Sequence, residues 1–349
     1  MGSTVRVAII GAGYMGSAHA RVLSRIAAEH PDLAELAYIV DVDERRAAIA
    51  ARRYGGRPLG SVEELPEGEV DLAVVATSTE THLEVSRQLV ARGVKGLLVE
   101  KPVTRSLEEA AELVELEESY GLWVAAGHIE RFNPAVAALH ERVARGRFGR
   151  VLTFVARRVG PFAARVRSTD VVYDLAVHEV DNALAIYREL PRSVRSYTLG
   201  GLVSSLTDYA LGILAYRYGF ASIEVNRVTP FKQRVAYLTA ERGVVFLDYM
   251  KRELRFYTDD EEVAIRVDDE EPLYLEDLAV LRRFTGGGDP PVDLRQAFTV
   301  LYICEKMLAS TKRNAEVVLE EEEDYSTYSD ILKEGLEKFK GYMDNVKAA

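Results

Sequence analysis

At 349 residues the chain is longer than one ordinary compact core accommodates, so two domains are the first expectation. Its 48% hydrophobic and 28% charged residues are ordinary globular composition, and a net charge of −11 excludes the basic footprint that nucleic-acid binding needs. The single cysteine, Cys304, excludes an intrachain disulfide and fits a reducing cytoplasm.

The predicted elements begin with "VRVAIIG", a strand, followed by a helix from about Met15 to Glu29. The strand–helix alternation repeats through "LAYIVD", "VDLAVVAT", "GLLVE" and "WVAAG". Near-continuous Val, Ile, Leu and Ala runs of this kind suit strands covered on both faces, hence a parallel sheet of βαβ units. We place this dinucleotide-type Rossmann domain at residues 1–126. After it the rhythm changes. A helix at "PAVAALHERVARG", a strand at "RVLTFVARRVG" and a helix from about Asp174 lead into alternating, hairpin-spaced runs from "ILAYRYG" to "EVAIRV". That pattern predicts an α+β domain with a large, mostly antiparallel open sheet over 127–322. Two helices, near Glu276 and Asp293, close it. Residues 323–349 form an acidic segment and a final amphipathic helix with Leu332, Leu336, Phe339 and Met343 on one face, expected to dock on the body or a neighbouring subunit. No apolar run approaches the roughly 18 residues that span a bilayer, and no signal peptide precedes the first strand, so neither membrane nor export is expected.

"GAGYMG", Gly11 to Gly16, matches G-x-G-x-x-G between a strand and a helix of the first βαβ unit. Gly11 makes the tight turn in this reading, Gly13 lets a pyrophosphate approach, and Gly16 lets helix pack on strand, with Tyr14 and Met15 beside the phosphates. Asp41 stands at the acidic position after the second strand, where a carboxylate accepts the ribose hydroxyls and repels a 2′-phosphate. NAD is therefore favoured over NADP, although Arg45, next to Val42 and Asp41, leaves room for the phosphorylated form. The alternative is a glycine-rich turn with no dinucleotide. Thr77 and Ser78, after the strand ending at Val75, lie where parallel sheets bind ligands. His82 either joins them or sits in a helix's first turn with no ligand.

The run "LLVEKP" ends in Glu100-Lys101-Pro102. By the same rule Lys101 points into the cofactor crevice, or else it pairs with a neighbour such as Glu100, itself a candidate neighbour of the nicotinamide ribose. Pro102 keeps Lys101 extended. In "YDLAVHEVDN", Asp174 and His178 share a helical face at four-residue spacing. An imidazole near neutrality suits proton removal from an alcohol, oriented by a carboxylate. The same spacing is compatible with a surface ion pair or with a metal held by Asp174, His178 and Asp181, though no Cys or His cluster supports a metal and none is expected.

In their order and spacing, "GAGYMG", "EKP", "GHIERFNPAV" and "DLAVHEVD" resemble the glucose–fructose oxidoreductase / inositol dehydrogenase (Gfo/Idh/MocA) family along nearly the whole chain. The resemblance implies an N-terminal Rossmann domain, a C-terminal domain whose open sheet makes subunit contacts in a homodimer or homotetramer, and a catalytic trio of Lys101, Asp174 and His178. It also implies a cis Lys101–Pro102 bond. The "RFNP" form is closest to members acting on nucleotide-linked N-acetyl sugars, such as UDP-N-acetylhexosamine 3-dehydrogenases. Glu130, where inositol dehydrogenases tend to carry a second basic residue, together with Asn133, Arg157 and His178, is then a candidate substrate contact, with Arg157 and Arg158 otherwise a solvated pair. The expected activity is NAD(P)-dependent hydride transfer from a ring carbinol of a sugar or sugar nucleotide. The alternatives are inositol, free-hexose or sugar–sugar redox chemistry, or a non-catalytic dinucleotide-binding regulator.

Overall fold

The computed structural model describes residues 4–163 and 169–348. The chain divides into two compact units: one is the chain up to Ile129 together with Glu270–Ala297, the other Glu130–Asp269 together with Phe298 onward.

In the first unit six parallel strands, β1 (Val5–Ile10), β2 (Ala34–Val40), β3 (Arg57–Leu59), β4 (Leu72–Val75), β5 (Gly96–Glu100) and β6 (Trp123–Gly127), lie in the order β3-β2-β1-β4-β5-β6. The order reverses between β1 and β4, which opens a crevice at their carboxyl ends. Helices α1 (Tyr14–Glu29), α2 (Glu44–Tyr54), α3 (His82–Ala91) and α4 (Leu107–Tyr120) connect the strands. Local signals set their ends: Asp43 caps α2 through the Arg45 N–H, Ser106 caps α4 through the Glu109 N–H, and left-handed Gly121 (φ +60°) stops α4.

The second unit opens with α5 (Pro134–Ala144) and the long strand β7 (Val151–Pro161). A π-helical turn, Val172–Ala176, then runs into α6 (Val177–Tyr187), and β8 (Ser193–Gly200) to β14 (Glu262–Ile265) follow. Between them come β9 (Thr207–Tyr216), β10 (Gly219–Asn226), β11 (Val228–Ala240), β12 (Gly243–Asp248) and β13 (Glu253–Tyr257). The nine-stranded sheet, order β14-β13-β12-β11-β7-β10-β9-β8-β15, includes β15 (Val317–Val318); β7 and β10 pair in parallel and every other neighbour antiparallel. Period-two alternation gives it two faces. Phe154, Ala156, Ile223, Ala236 and Leu238 are buried, whereas Val155, Ile213, Phe220 and Tyr237, on the other face, are exposed.

Two boundaries differ from the sequence reading. Helix α7 (Pro272–Thr285), assigned above to the second domain, completes the first, because Leu273, Tyr274, Leu278, Val280 and Leu281 enter the core built by Val7, Ile9, Leu23 and Ile26. Burial of such side chains contributes roughly 1.5–3 kcal/mol each, which outweighs chain continuity. Helix α8 (Leu294–Arg313) begins in the first unit and continues in the second. After the short α9 (Glu323–Thr327), the final helix α10 (Ser329–Ala348) belongs to the second unit rather than standing apart. It packs on α5 and α6 with Leu332, Gly335, Phe339 and Met343 buried. No described helix is long and apolar enough to cross a membrane.

Candidate active site

In the first unit the glycine loop has the geometry its sequence demands. Gly11 sits at φ +95°, and a Cβ there would meet the Ala76 carbonyl at 2.7 Å. At Gly16 a Cβ would fall 1.7 Å from the Gly11 carbonyl oxygen, so only glycine lets α1 close on the loop. Gly13, the N-cap of α1, has nothing within 4 Å of an added Cβ: its space is open, as a cradle for an anion at a helix N-terminus needs. Asp41 accepts from the Ala12 N–H at 2.7 Å and from the Asp43 N–H at 2.8 Å, fixing a half-buried carboxylate between the glycine loop and α2. Tyr14, Val42 and Arg45 are exposed around it, and Met15 is half-buried.

Across the switch point, Thr77 accepts from the Thr81 hydroxyl at 2.9 Å, and exposed Ser78 leads into the helical turn before α3. His82 is the first residue of α3 and is buried, with Nδ1 3.2 Å from the Val103 carbonyl and Nε2 3.3 Å from that of Thr77. Burial lowers its pKa, and its ring braces the loops after β4 and β5.

The Lys101–Pro102 bond is cis, and Lys101 is half-buried. Glu100 turns inward instead: Oε2 accepts the Lys101 backbone N–H at 3.1 Å, and Oε1 lies 3.0 Å from Nε2 of His19. His19, fully buried on α1, places Nδ1 2.8 Å from Oδ1 of Asp277 on α7. Burial opposes charge on His19, but Asp277 and Glu100 outweigh it and hold its pKa well above the ordinary histidine range. Burial would raise the Glu100 carboxyl, yet the His19 contact holds it below its usual range; burial leaves Asp277 raised. We read this array as an imidazolium donating to two carboxylates. His19 and Asp277 escaped the sequence reading. The available signal was a histidine on the apolar stripe shared with Leu23 and Ile26, a polar group that must find partners once buried.

In the second unit Asp174 lies within the π-helical turn and is half-buried, and His178, nine-tenths buried, stands in the first turn of α6. The wide i→i+5 turn spaces them at slightly less than one turn, where a regular α-helix gives slightly more. Beneath them is a dense ionic network. Arg158, 1% exposed, donates to Glu179 Oε1 at 2.7 Å and to Glu130 Oε1 at 2.8 Å, and Tyr249 donates to Glu179 Oε2 at 2.5 Å. Asn133 donates to Glu130 and to the Tyr249 carbonyl while its Oδ1 caps α5.

Three substrate expectations therefore change. Glu130 and Asn133 are buried and spend their polar atoms on this network. Arg157 points to the opposite face of β7 from Arg158 and α6, where it bonds Glu224 at 2.9 Å and Gln233 at 2.8 Å. Strand alternation makes the arginine pair a buried and a half-exposed residue, not a solvated pair. Asp181, weighed as a metal ligand, gives its carboxylate to buried Arg131 at 2.6–3.2 Å. Arg234 was missed. It pairs in register with Arg158, lies 3.9 Å from Glu130 with its side chain 39% exposed, and feels the field of Asp174. Burial, then the Arg158 charge, lowers its pKa.

Residues 5–128 match the family described as oxidoreductase family, NAD-binding Rossmann fold (GFO_IDH_MocA). UDP-N-acetylglucosamine 3-dehydrogenase of Acidithiobacillus ferrooxidans is 29% identical over 254 residues, 72% of this chain and 77% of that one. An inositol 2-dehydrogenase of Acidothermus cellulolyticus is 31% identical over 203 residues, so this chain spans 56% of its length. The solved structure of the Acidithiobacillus enzyme superposes with a TM-score of 0.80 at 26% identity, covering 89% of this chain and 98% of that one. A levoglucosan dehydrogenase in complex with NADH and levoglucosan shares the fold, with a TM-score of 0.82 at 18% identity and 90% of this chain covered. The first unit, β1–β6, thus matches the NAD-binding Rossmann domain of the Gfo/Idh/MocA family of oxidoreductases, and the fold of the Acidithiobacillus enzyme is shared along most of the chain.

Proposed function

We propose that this enzyme oxidises a ring carbinol of a sugar nucleotide, with UDP-N-acetyl sugars as the favoured class, at the 3-hydroxyl as in the Acidithiobacillus relative. The observation that carries the reading is the presence of Lys101, Asp174 and His178 in one chain with a glycine loop and Asp41 shaped for NAD. Bound NAD supplies the hydride acceptor. His178 removes the hydroxyl proton, and Asp174, in the preceding π turn, orients the imidazole. Lys101 donates to the same oxygen and stabilises the negative charge that develops on it. Arg234 is the substrate-binding cation on the face that carries α6. The exposed apolar side chains Val155, Tyr237, Ile213 and Phe220 on one face of the open sheet support assembly of copies through it.

The test is a thermal-shift and turnover panel with NAD and NADP, then UDP-N-acetylglucosamine, free hexoses and inositols. A shift and turnover with the UDP-sugar only when NAD is present is the expected result, and preference for inositol would favour the second relative's chemistry. Lys101→Ala and His178→Ala should abolish turnover with NAD affinity near normal; turnover retained in both would overturn the catalytic assignment.

A further inference from the structure

The buried array around His19 has no part in the chemistry just proposed, yet it touches the backbone of Lys101 directly. Its three members come from distant points of the first unit: His19 from α1, whose N-terminus carries the glycine loop; Glu100 from the end of β5; Asp277 from α7. Three polar contacts form a chain toward Lys101. Asp277 holds Nδ1 of His19 at 2.8 Å, Nε2 of His19 holds Glu100 Oε1 at 3.0 Å, and Glu100 Oε2 holds the Lys101 N–H at 3.1 Å. Glu100 lies in the space left by a glycine. Its β6 register partner is Gly127, where an added Cβ would stand 3.3 Å from the Glu100 carboxyl carbon.

We propose that His19 is a positioning residue for Lys101, acting through Glu100: gripped between Asp277 and Glu100, it fixes the carboxylate that anchors the Lys101 backbone and links that anchor to the helix that opens the cofactor loop. The inference rests on the reading of Lys101 as the group that touches the reacting oxygen. The charged groups around the ring are Glu100 and Lys101 at the end of β5, and Asp277, Glu276 and, acting on Asp277, Glu271 on and before α7. Two carboxylates share one cation, so removing the cation leaves like charges buried together, a situation that drives a proton onto one of them. Protonated Glu100 is a weaker acceptor for the Lys101 N–H.

The test uses the full-length protein. In His19→Gln, hydrogen exchange at the Lys101 amide should accelerate about tenfold or more while NAD affinity, by titration, stays within about threefold. With UDP-N-acetylglucosamine and NAD, kcat should fall about tenfold or more with KM little changed, and its pH profile should gain an ionisation on the acid side. The double variant His19→Gln/Asp277→Asn, which removes one of the stranded carboxylates, should lose that extra ionisation. Should His19→Gln not fold, Asp277→Asn decides: His19, left with one carboxylate, should titrate by NMR at a lower pH than in the parent, and Lys101 amide exchange should rise with it. Unchanged exchange at Lys101 in whichever variant folds overturns the proposal. The readings separate cleanly, because Lys101→Ala with undiminished turnover sinks the role of Lys101, whereas a dead Lys101→Ala beside an unperturbed His19→Gln sinks only the role of His19.

Discussion

Each unit buries one cation between two carboxylates, but the two cations are of different kinds. In the first unit it is His19 between Asp277 and Glu100; in the second it is Arg158 between Glu130 and Glu179. An arginine stays charged at any pH a protein survives, so the second array is fixed scaffolding beneath α6. A histidine can give up its proton, so the first array, one bond from Lys101, is adjustable. The same electrostatic motif thus braces α6 rigidly in one unit and the end of β5 conditionally in the other.

The largest expected effect comes from breaking the permanent array. Arg158→Met strands Glu130 and Glu179 in the interior and should cost about 3–5 kcal/mol in denaturant unfolding; a loss under about 1 kcal/mol would show that water already screens the pair. Next is the pH contrast. Because the folded pKa of His19 is raised, its stabilisation is complete below the ordinary histidine range and drains away as pH rises through the raised value. The difference in unfolding free energy between parent and His19→Gln should therefore shrink on going alkaline, while that between parent and Arg158→Met should widen, because the stranded Glu130 and Glu179 then lose the proton they share. Tyr249→Phe, which leaves Glu179 Oε2 and the Asn182 amide short of a partner, should cost about 1–3 kcal/mol. The smallest effect is the control. Glu241→Gln, at the exposed Arg150–Glu241 pair, should cost about 0.2–1 kcal/mol and less in high salt.

The parts of the site that were legible in the sequence are those written in local spacing. Gly11, Gly13 and Gly16, then Asp41, then Lys101 before Pro102, all lie at strand ends, where a parallel sheet must place its ligand. What was illegible depended on long-range packing. His19 and Asp277 are 258 positions apart, and no local pattern joins them. Glu130 and Asn133 sat inside a motif that pointed at substrate, but burial beside Arg158 could be seen only once β7 lay against α6. The strands β3, β8 and β15 were missed for a simpler reason. "SVRSYTLG" mixes polar and apolar residues because β8 lies near the sheet's margin with Tyr197 and Leu199 exposed, and β3 and β15 have only three and two residues. Asp174 and His178 fall in the helical stretch the sequence pointed to, but nothing in "DLAVH" announced a π turn.

The return of α7 to the first unit has a consequence for synthesis. A ribosome delivers β1 to β6 early, yet Leu273, Leu278 and Leu281 emerge only after the whole antiparallel sheet from β7 to β14. Until then the nascent nucleotide-binding half must wait with an open flank, and His19 with one carboxylate instead of two. The order in which the chain leaves the tunnel therefore ties completion of the cofactor domain to completion of its neighbour, so a half-made polypeptide is poorly placed to sequester NAD.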